Sequence, residues 1–199
     1  MSATMPDFAA VREGRLPYAE AVRDLDQAAL RRLTDEIYDA MGAIVAGATD
    51  AAVGFAPHDP ALTDPAERAW TLGHVVVHVT AGCEESAAVA AMLARGVPVP
   101  EGPAGRSRYE TPWETILTAR QVFDRLAESR RMCQAFLNAW PDEPHLDLTY
   151  TLIPRFGPLN AVGRYALGLF HADAHLEQLR EIMRQAGEAD RQVAAQTGR

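Results

Sequence analysis

The stretch Trp70-Thr71-Leu72-Gly73-His74-Val75-Val76-Val77-His78-Val79-Thr80-Ala81-Gly82-Cys83 decides how the chain folds. Leu72, Val75, Val79 and Cys83 recur at spacings of three and four, which paints one apolar stripe along a helix. Downstream the stripe reaches Ala90 and stops at Arg95-Gly96, with Pro98 and Pro100 beyond. Upstream, Asp64-Pro65-Ala66-Glu67 has the form of a helix start: an acidic cap, proline at the first helical position and a glutamate reaching back. A helix from about Ala66 to Arg95 is therefore expected.

Three further stretches carry the same period. Val22, Leu25, Ala29, Leu33, Ile37, Met41 and Ile44 predict a helix from about Tyr18 to Ala48. Thr111-Pro112-Trp113-Glu114 reads as a capping box opening a third helix, whose face runs through Ile116, Phe123, Leu126, Arg130, Cys133, Phe136 and Trp140 to Pro141. A fourth follows Gly157-Pro158, carries Val162, Ala166, Phe170, Ala174, Leu179 and Ile182, and is expected to stop near Ala186-Gly187. Helices of this length reach ~40 Å and can lie side by side. The fold class expected is all-α, a four-helix bundle with long connecting loops. Leu146 to Ile153 alternates in a way that suggests a short strand or hairpin between helices three and four. The whole chain reads as a single domain with its core at about residues 18–187, and the segments Met1–Arg15 and Glu188–Arg199 are expected to be loosely held.

Composition narrows the function classes. The chain has 199 residues, 48% of them hydrophobic, and a formal net charge of −8. A surplus of acid argues against a phosphate-tracking surface, so no nucleic-acid partner is expected. No uncharged apolar window of about 18 residues is visible, and the first twenty residues lack the apolar run of a secretion signal. A cytoplasmic protein with no membrane association is expected. The two cysteines, Cys83 and Cys133, sit in apolar helical patterns and read as buried thiols.

Four of the six histidines fall in two pairs, His74 with His78 and His171 with His175. A spacing of four puts both rings of a pair on one helical face, a geometry in which imidazoles converge on a cation. A hydrogen-bonded or solvated pair is the competing explanation, since short motifs of this kind recur by chance. Ala172 follows His171, so the glutamate base of an HExxH motif is absent. His58 and His145 lie in polar links and read as surface residues.

Trp70-Thr71-Leu72-Gly73-His74-Val75-Val76-Val77-His78-Val79, taken with Phe170-His171-Ala172-Asp173-Ala174-His175-Leu176-Glu177-Gln178-Leu179, resembles the DinB/YfiT-like metalloenzyme superfamily. The resemblance implies a helical bundle with a three-histidine metal site. It assigns one ligand to His78, eight residues after Trp70, and the other two to His171 and His175. His74 is extra to that pattern, as a near-site residue or an alternative ligand. Gln178 is expected to face the site. Arg130 reads either as an anchor for an anionic substrate or as a side chain reaching solvent at the bundle edge.

Three protein ligands leave coordination positions open, as in catalytic rather than structural sites. The divalent ion expected is zinc or nickel, with iron or manganese as alternatives. The function expected is a metal-dependent enzyme, a hydrolase or a thiol-dependent S-transferase acting on a small-molecule substrate. The resemblance implies a low-molecular-weight thiol as co-substrate and a homodimer. The alternative is a non-catalytic helical binding module whose metal is structural or adventitious.

Overall fold

The chain is described by a computed structural model over residues 6–60, 69–100 and 108–197. Those residues form eight α-helices: α1 (Phe8–Arg12), α2 (Tyr18–Ala21), α3 (Gln27–Val45), α4 (Asp50–Gly54), α5 (Leu72–Ala94), α6 (Ala119–Asn138), α7 (Ala161–Ala174) and α8 (Leu176–Thr197). Two 3-10 turns, Trp113–Thr115 and Pro154–Phe156, punctuate the links. The protein is all-helical among the described residues. The long elements share one core: α5 packs against α6 and α7, while α3 packs against α6, α7 and α8.

The stripe read on the central helix is real, and Leu72, Val75, Val79 and Ala90 are fully buried. Leu72, Val75 and Val79 each contribute ~1.5–3 kcal/mol relative to exposure. Neighbours on two sides also bury Val76, Val77 and Ala87, so α5 is apolar around most of its circumference. By length and composition α5 is long and apolar enough to cross a membrane, but it carries Glu84 and Glu85, and 78% of its apolar window is buried inside the protein. Its start differs too. Thr71 is the cap, accepting a hydrogen bond from His74 N at 3.3 Å, and residues 69–71 are not helical. The expected start at Asp64 to Glu67 lies outside the described residues. At the other end the sequence signal holds. Gly96 takes φ +77°, its N–H donates to Leu93 O, and Val97 N–H reaches back to Met92 O, which closes the helix in a Schellman motif.

Four other boundaries differ from expectation. The first helix is broken: α2 ends at Ala21, and Asp26 in extended conformation starts α3 by accepting from Ala29 N at 2.7 Å. The apolar period runs through the break because Val22 and Leu25 still pack on the core. The third helix opens at Thr118, not Thr111. Thr118 and Gln121 form the reciprocal capping box, whereas Pro112 and Glu114 belong to a single 3-10 turn. Ile116 explains the delay: it turns extended and packs against the start of α5, where a Cβ on Gly73 would lie 3.4 Å from its own. The fourth helix is divided at His175, whose N–H bonds Ala172 O three residues back. Gly187 does not end it, since α8 runs on to Thr197.

The strand or hairpin expected over Leu146 to Ile153 is absent from the described residues. It is reduced to one antiparallel bridge between Tyr150 and Leu159. Pro154 and Pro158 bracket the 3-10 turn between them, and proline has no N–H to extend a ladder. The N-terminal segment is not loose throughout either. Phe8 is buried and meets Phe170 edge-on at 5.3 Å, and Arg12 is ion-paired with Asp173.

Candidate metal centre

α5 carries His78, α7 carries His171, and His175 caps α7 where it hands over to α8. The α5–α7 contact that joins them is unusually close. A Cβ on Gly168 would lie 2.9 Å from Cys83 Cα and 2.7 Å from Ser86 Cβ, so only glycine fits there. One turn along, a Cβ on Gly82 would lie 2.8 Å from His171 Nδ1. Glycine at 82 thus vacates the space that the His171 ring fills.

The three Nε2 atoms converge. His171 Nε2 lies 3.1 Å from His78 Nε2 and 3.0 Å from His175 Nε2. All three ligand atoms are within 4.8 Å of one another, the one such group of His, Cys, Asp or Glu among the described residues. The rings meet steeply, at interplanar angles of 70–81°, so their lone pairs aim inward from different directions. Nitrogens about 2.0–2.1 Å from a common ion, at angles between 90° and tetrahedral, sit roughly 2.8–3.4 Å apart. The two short separations match that range.

The outward-facing nitrogen of His175 has a partner that favours this use. His175 Nδ1 donates to Gln178 Oε1 at 2.7 Å, which leaves the Nε2 lone pair for a ligand. Beside His78, Arg108 Nη2 lies 2.9 Å from Nδ1, 2.9 Å from the His78 carbonyl and 2.6 Å from Glu110 Oε2. That nitrogen has two protons for three neighbours. The guanidinium can only donate, so Nδ1, the carbonyl and the carboxylate compete as acceptors for its protons, while Glu110 Oε2, 3.7 Å from Nδ1, lies beyond hydrogen-bond reach of the ring. Burial first, then the Arg108 charge and the His175 ring, push the His78 pKa down to about 4. Burial and the two neighbouring rings push His171 down to about 3. Both rings are therefore neutral at physiological pH, the state in which imidazole ligates metals.

The remaining candidates are placed elsewhere. The His74 ring is sandwiched between two indoles, Trp70 at 4.4 Å and Trp113 at 5.0 Å, and is not a member of the converging set. Trp70 also meets His78 edge-on at 4.7 Å, so His74 reaches the centre through that indole. Arg130 is not at the site. Its guanidinium binds Asp35 at 2.6 Å and Asp39 at 2.6 Å, tying α6 to α3. His145 is exposed beside Gly96, and the His58 backbone N–H donates to Gln185.

His78 and His171 line a cleft of about 420 Å³. Arg108, Arg155 and Arg164 line it together with apolar side chains. Sequence reasoning missed Arg108 and Glu110, which lie in a link and reach the histidines only through the fold. Gly82 and Arg164 did leave a signal, as a glycine and an arginine inside strongly apolar helices.

Comparison with curated proteins and with solved structures finds no match. The DinB superfamily matches residues 18–179, which include every histidine of the cluster and the tryptophan that packs on it, and the chain belongs to that superfamily.

Proposed function

We propose that the chain is a metal-dependent enzyme in which His78, His171 and His175 hold one divalent ion, zinc or nickel before iron or manganese. The observation that carries this reading is the convergence of three Nε2 atoms, two pairs of them 3.0 and 3.1 Å apart, with His78 and His171 lining a cleft. When bound, the ion supplies Lewis acidity at its open positions, towards a water for hydrolysis or towards a thiol for S-transfer. The chain's own residues do the rest. Gln178 fixes the orientation of the His175 ring, Arg108, held by Glu110, lies against the His78 ring, and burial keeps His78 and His171 unprotonated. Phe156, Leu167 and Phe170 give one side of the cleft an apolar wall that excludes water from the reacting group.

The helices fit the same reading. Taking α7 and α8 as one column broken at His175, α3, α5 and α6 complete a four-helix bundle, a scaffold that builds metal sites from facing helices. A cytoplasmic homodimer using a low-molecular-weight thiol is the physiological setting we infer, in line with the acidic composition and with the family. The test is metal analysis of protein purified without a histidine tag, for the parent and for His78→Ala, His171→Ala and His175→Ala. About one equivalent of divalent metal per chain, lost in all three variants, is expected. Negligible metal in the parent, or metal indifferent to all three substitutions, rejects the proposal. A retained ion with no exchangeable position would instead favour a structural role.

A further inference from the structure

The cleft beside the histidines has a charge opposite to that of the protein. The chain carries a formal net charge of −8, yet three guanidiniums, Arg108, Arg155 and Arg164, line this cleft against the single carboxylate of Glu85. The three are held differently. Arg108 is engaged with Glu110 and the His78 carbonyl. Arg164, only 1% exposed, donates through Nη1 to Ser86 Oγ at 2.5 Å, and its Nη2 lies 3.9 Å from Glu85 Oε2. Its charge is thus partly balanced within the wall. Arg155, on the turn Pro154–Phe156, lies over the Phe156 ring at 4.4 Å, and no ion pair to it is found among the described residues.

A guanidinium resting on an aromatic face keeps its N–H edge available, and that edge matches a carboxylate two bonds at a time. Leu152, Phe156, Leu167 and Phe170 supply apolar surface in the same cleft as Arg155, His78 and His171. A volume of about 420 Å³ lies at the small end of small-molecule sites, too small for a polymer.

We propose that the cleft binds small carboxylic acids with an apolar body, the carboxylate on Arg155 with the buried Arg164 charge behind it, and the remainder of the molecule directed at the three histidines. A single free fork suits one carboxylate, whereas a phosphate dianion calls for a second uncommitted cation. The assignment of this end as the reacting end rests on the metal-centre reading above. The anchoring itself does not.

The test therefore uses the full chain stripped of metal by chelation, so that no ion is present for a carboxylate to coordinate. Hexanoate and its uncharged counterpart hexanamide are titrated calorimetrically. Hexanoate is expected to saturate and to bind about tenfold tighter than hexanamide. Arg155→Gln is expected to abolish that preference without changing hexanamide binding, and Arg155→Lys to restore part of it. Equal affinities, a preference that survives Arg155→Gln, or no saturable hexanoate binding overturns the proposal. Metal content of the untreated protein is measured alongside. Bound metal without hexanoate binding sinks only the carboxylate assignment, and hexanoate binding by a protein that never held metal sinks only the metal reading.

Discussion

Replacing Gly82 by alanine adds one methyl group to the face of α5 that meets His171. That methyl would arrive 2.8 Å from His171 Nδ1 and 3.3 Å from Cε1. Ordinary carbon contacts begin near 3.5 Å, so the ring must retreat by about 0.7 Å. Metal–nitrogen bonds tolerate only ~0.2 Å. The displaced ring therefore loses its place in the ligand set, and metal affinity is expected to fall tenfold or more, which is ~1.4 kcal/mol or above. Stability should behave differently. Alanine gains ~0.5–1 kcal/mol over glycine inside a helix, and a ring that borders a cleft has somewhere to go, so the metal-free protein should keep its unfolding midpoint to within ~1 kcal/mol. Gly168→Ala is the contrasting case. Its methyl meets Cys83 Cα and Ser86 Cβ, which cannot swing away, so α5 and α7 must separate at a cost of ~1–3 kcal/mol. The assay is zinc competition against a chromogenic chelator, paired with urea unfolding of the metal-free chains. Parent-like zinc affinity in Gly82→Ala would refute the geometric argument.

Other expectations test other parts of the site. Gln178→Ala removes the acceptor on His175 Nδ1 and should lower metal affinity about 10–100-fold with the fold intact; the same chelator competition reads it, and unchanged affinity would show that Gln178 orients nothing. Acid should destabilise the metal-free protein through the buried rings. The folded pKa values of His78 and His171, about 4 and about 3, lie below the ordinary 6.5, so the unfolded chain takes up the protons first. The stabilisation is complete above about pH 6.5 and fades as pH falls through 4 and then 3, by at most ~1.4 kcal/mol per pH unit per ring. Urea midpoints at pH 7 and pH 5 should differ less in a His78→Asn/His171→Asn double variant than in the parent, and equal differences would contradict the assignment. Arg130→Ala should cost ~1 kcal/mol through its half-exposed pairs with Asp35 and Asp39 while leaving metal content unchanged; loss of metal would return Arg130 to the site.

The boundaries that sequence reading placed well are those whose signal is local. Gly96 ends α5 because a left-handed residue is needed there, and nothing distant competes with that need. Thr111 to Glu114 and Thr118 to Gln121 offer equivalent capping chemistry, and the choice between them is made by Ile116 docking against Gly73 on another helix. The break at His175 was invisible for a related reason. Leu176, Leu179 and Ile182 stay on the buried face after the turn tightens, so the apolar period passes through it unchanged. Arg130 shows the limit for charged residues. A stripe tells which face a side chain leaves from, but not that two aspartates of α3 wait beside it.

The histidines were legible, whereas Gly82 and Gly168 showed only as glycines inside apolar helices with nothing to say what they make room for, although the centre depends on both. Spacing alone puts His171 and His175 on one side of their helix, and the family resemblance marks His78, eight residues after Trp70. Neither fact brings α5 within reach of α7. That is achieved where side chains are missing: Gly168 lets its backbone rest against Cys83 and Ser86, and Gly82 leaves room for the ring that bridges the other two. Imidazole nitrogens held 3.0–3.1 Å apart tolerate little drift in the helix–helix distance. A bulkier residue at either glycine would move the two helices, or the ring between them, by more than a metal bond can stretch. The donor set is thus written in the polar residues, and its dimensions are written in the smallest apolar ones.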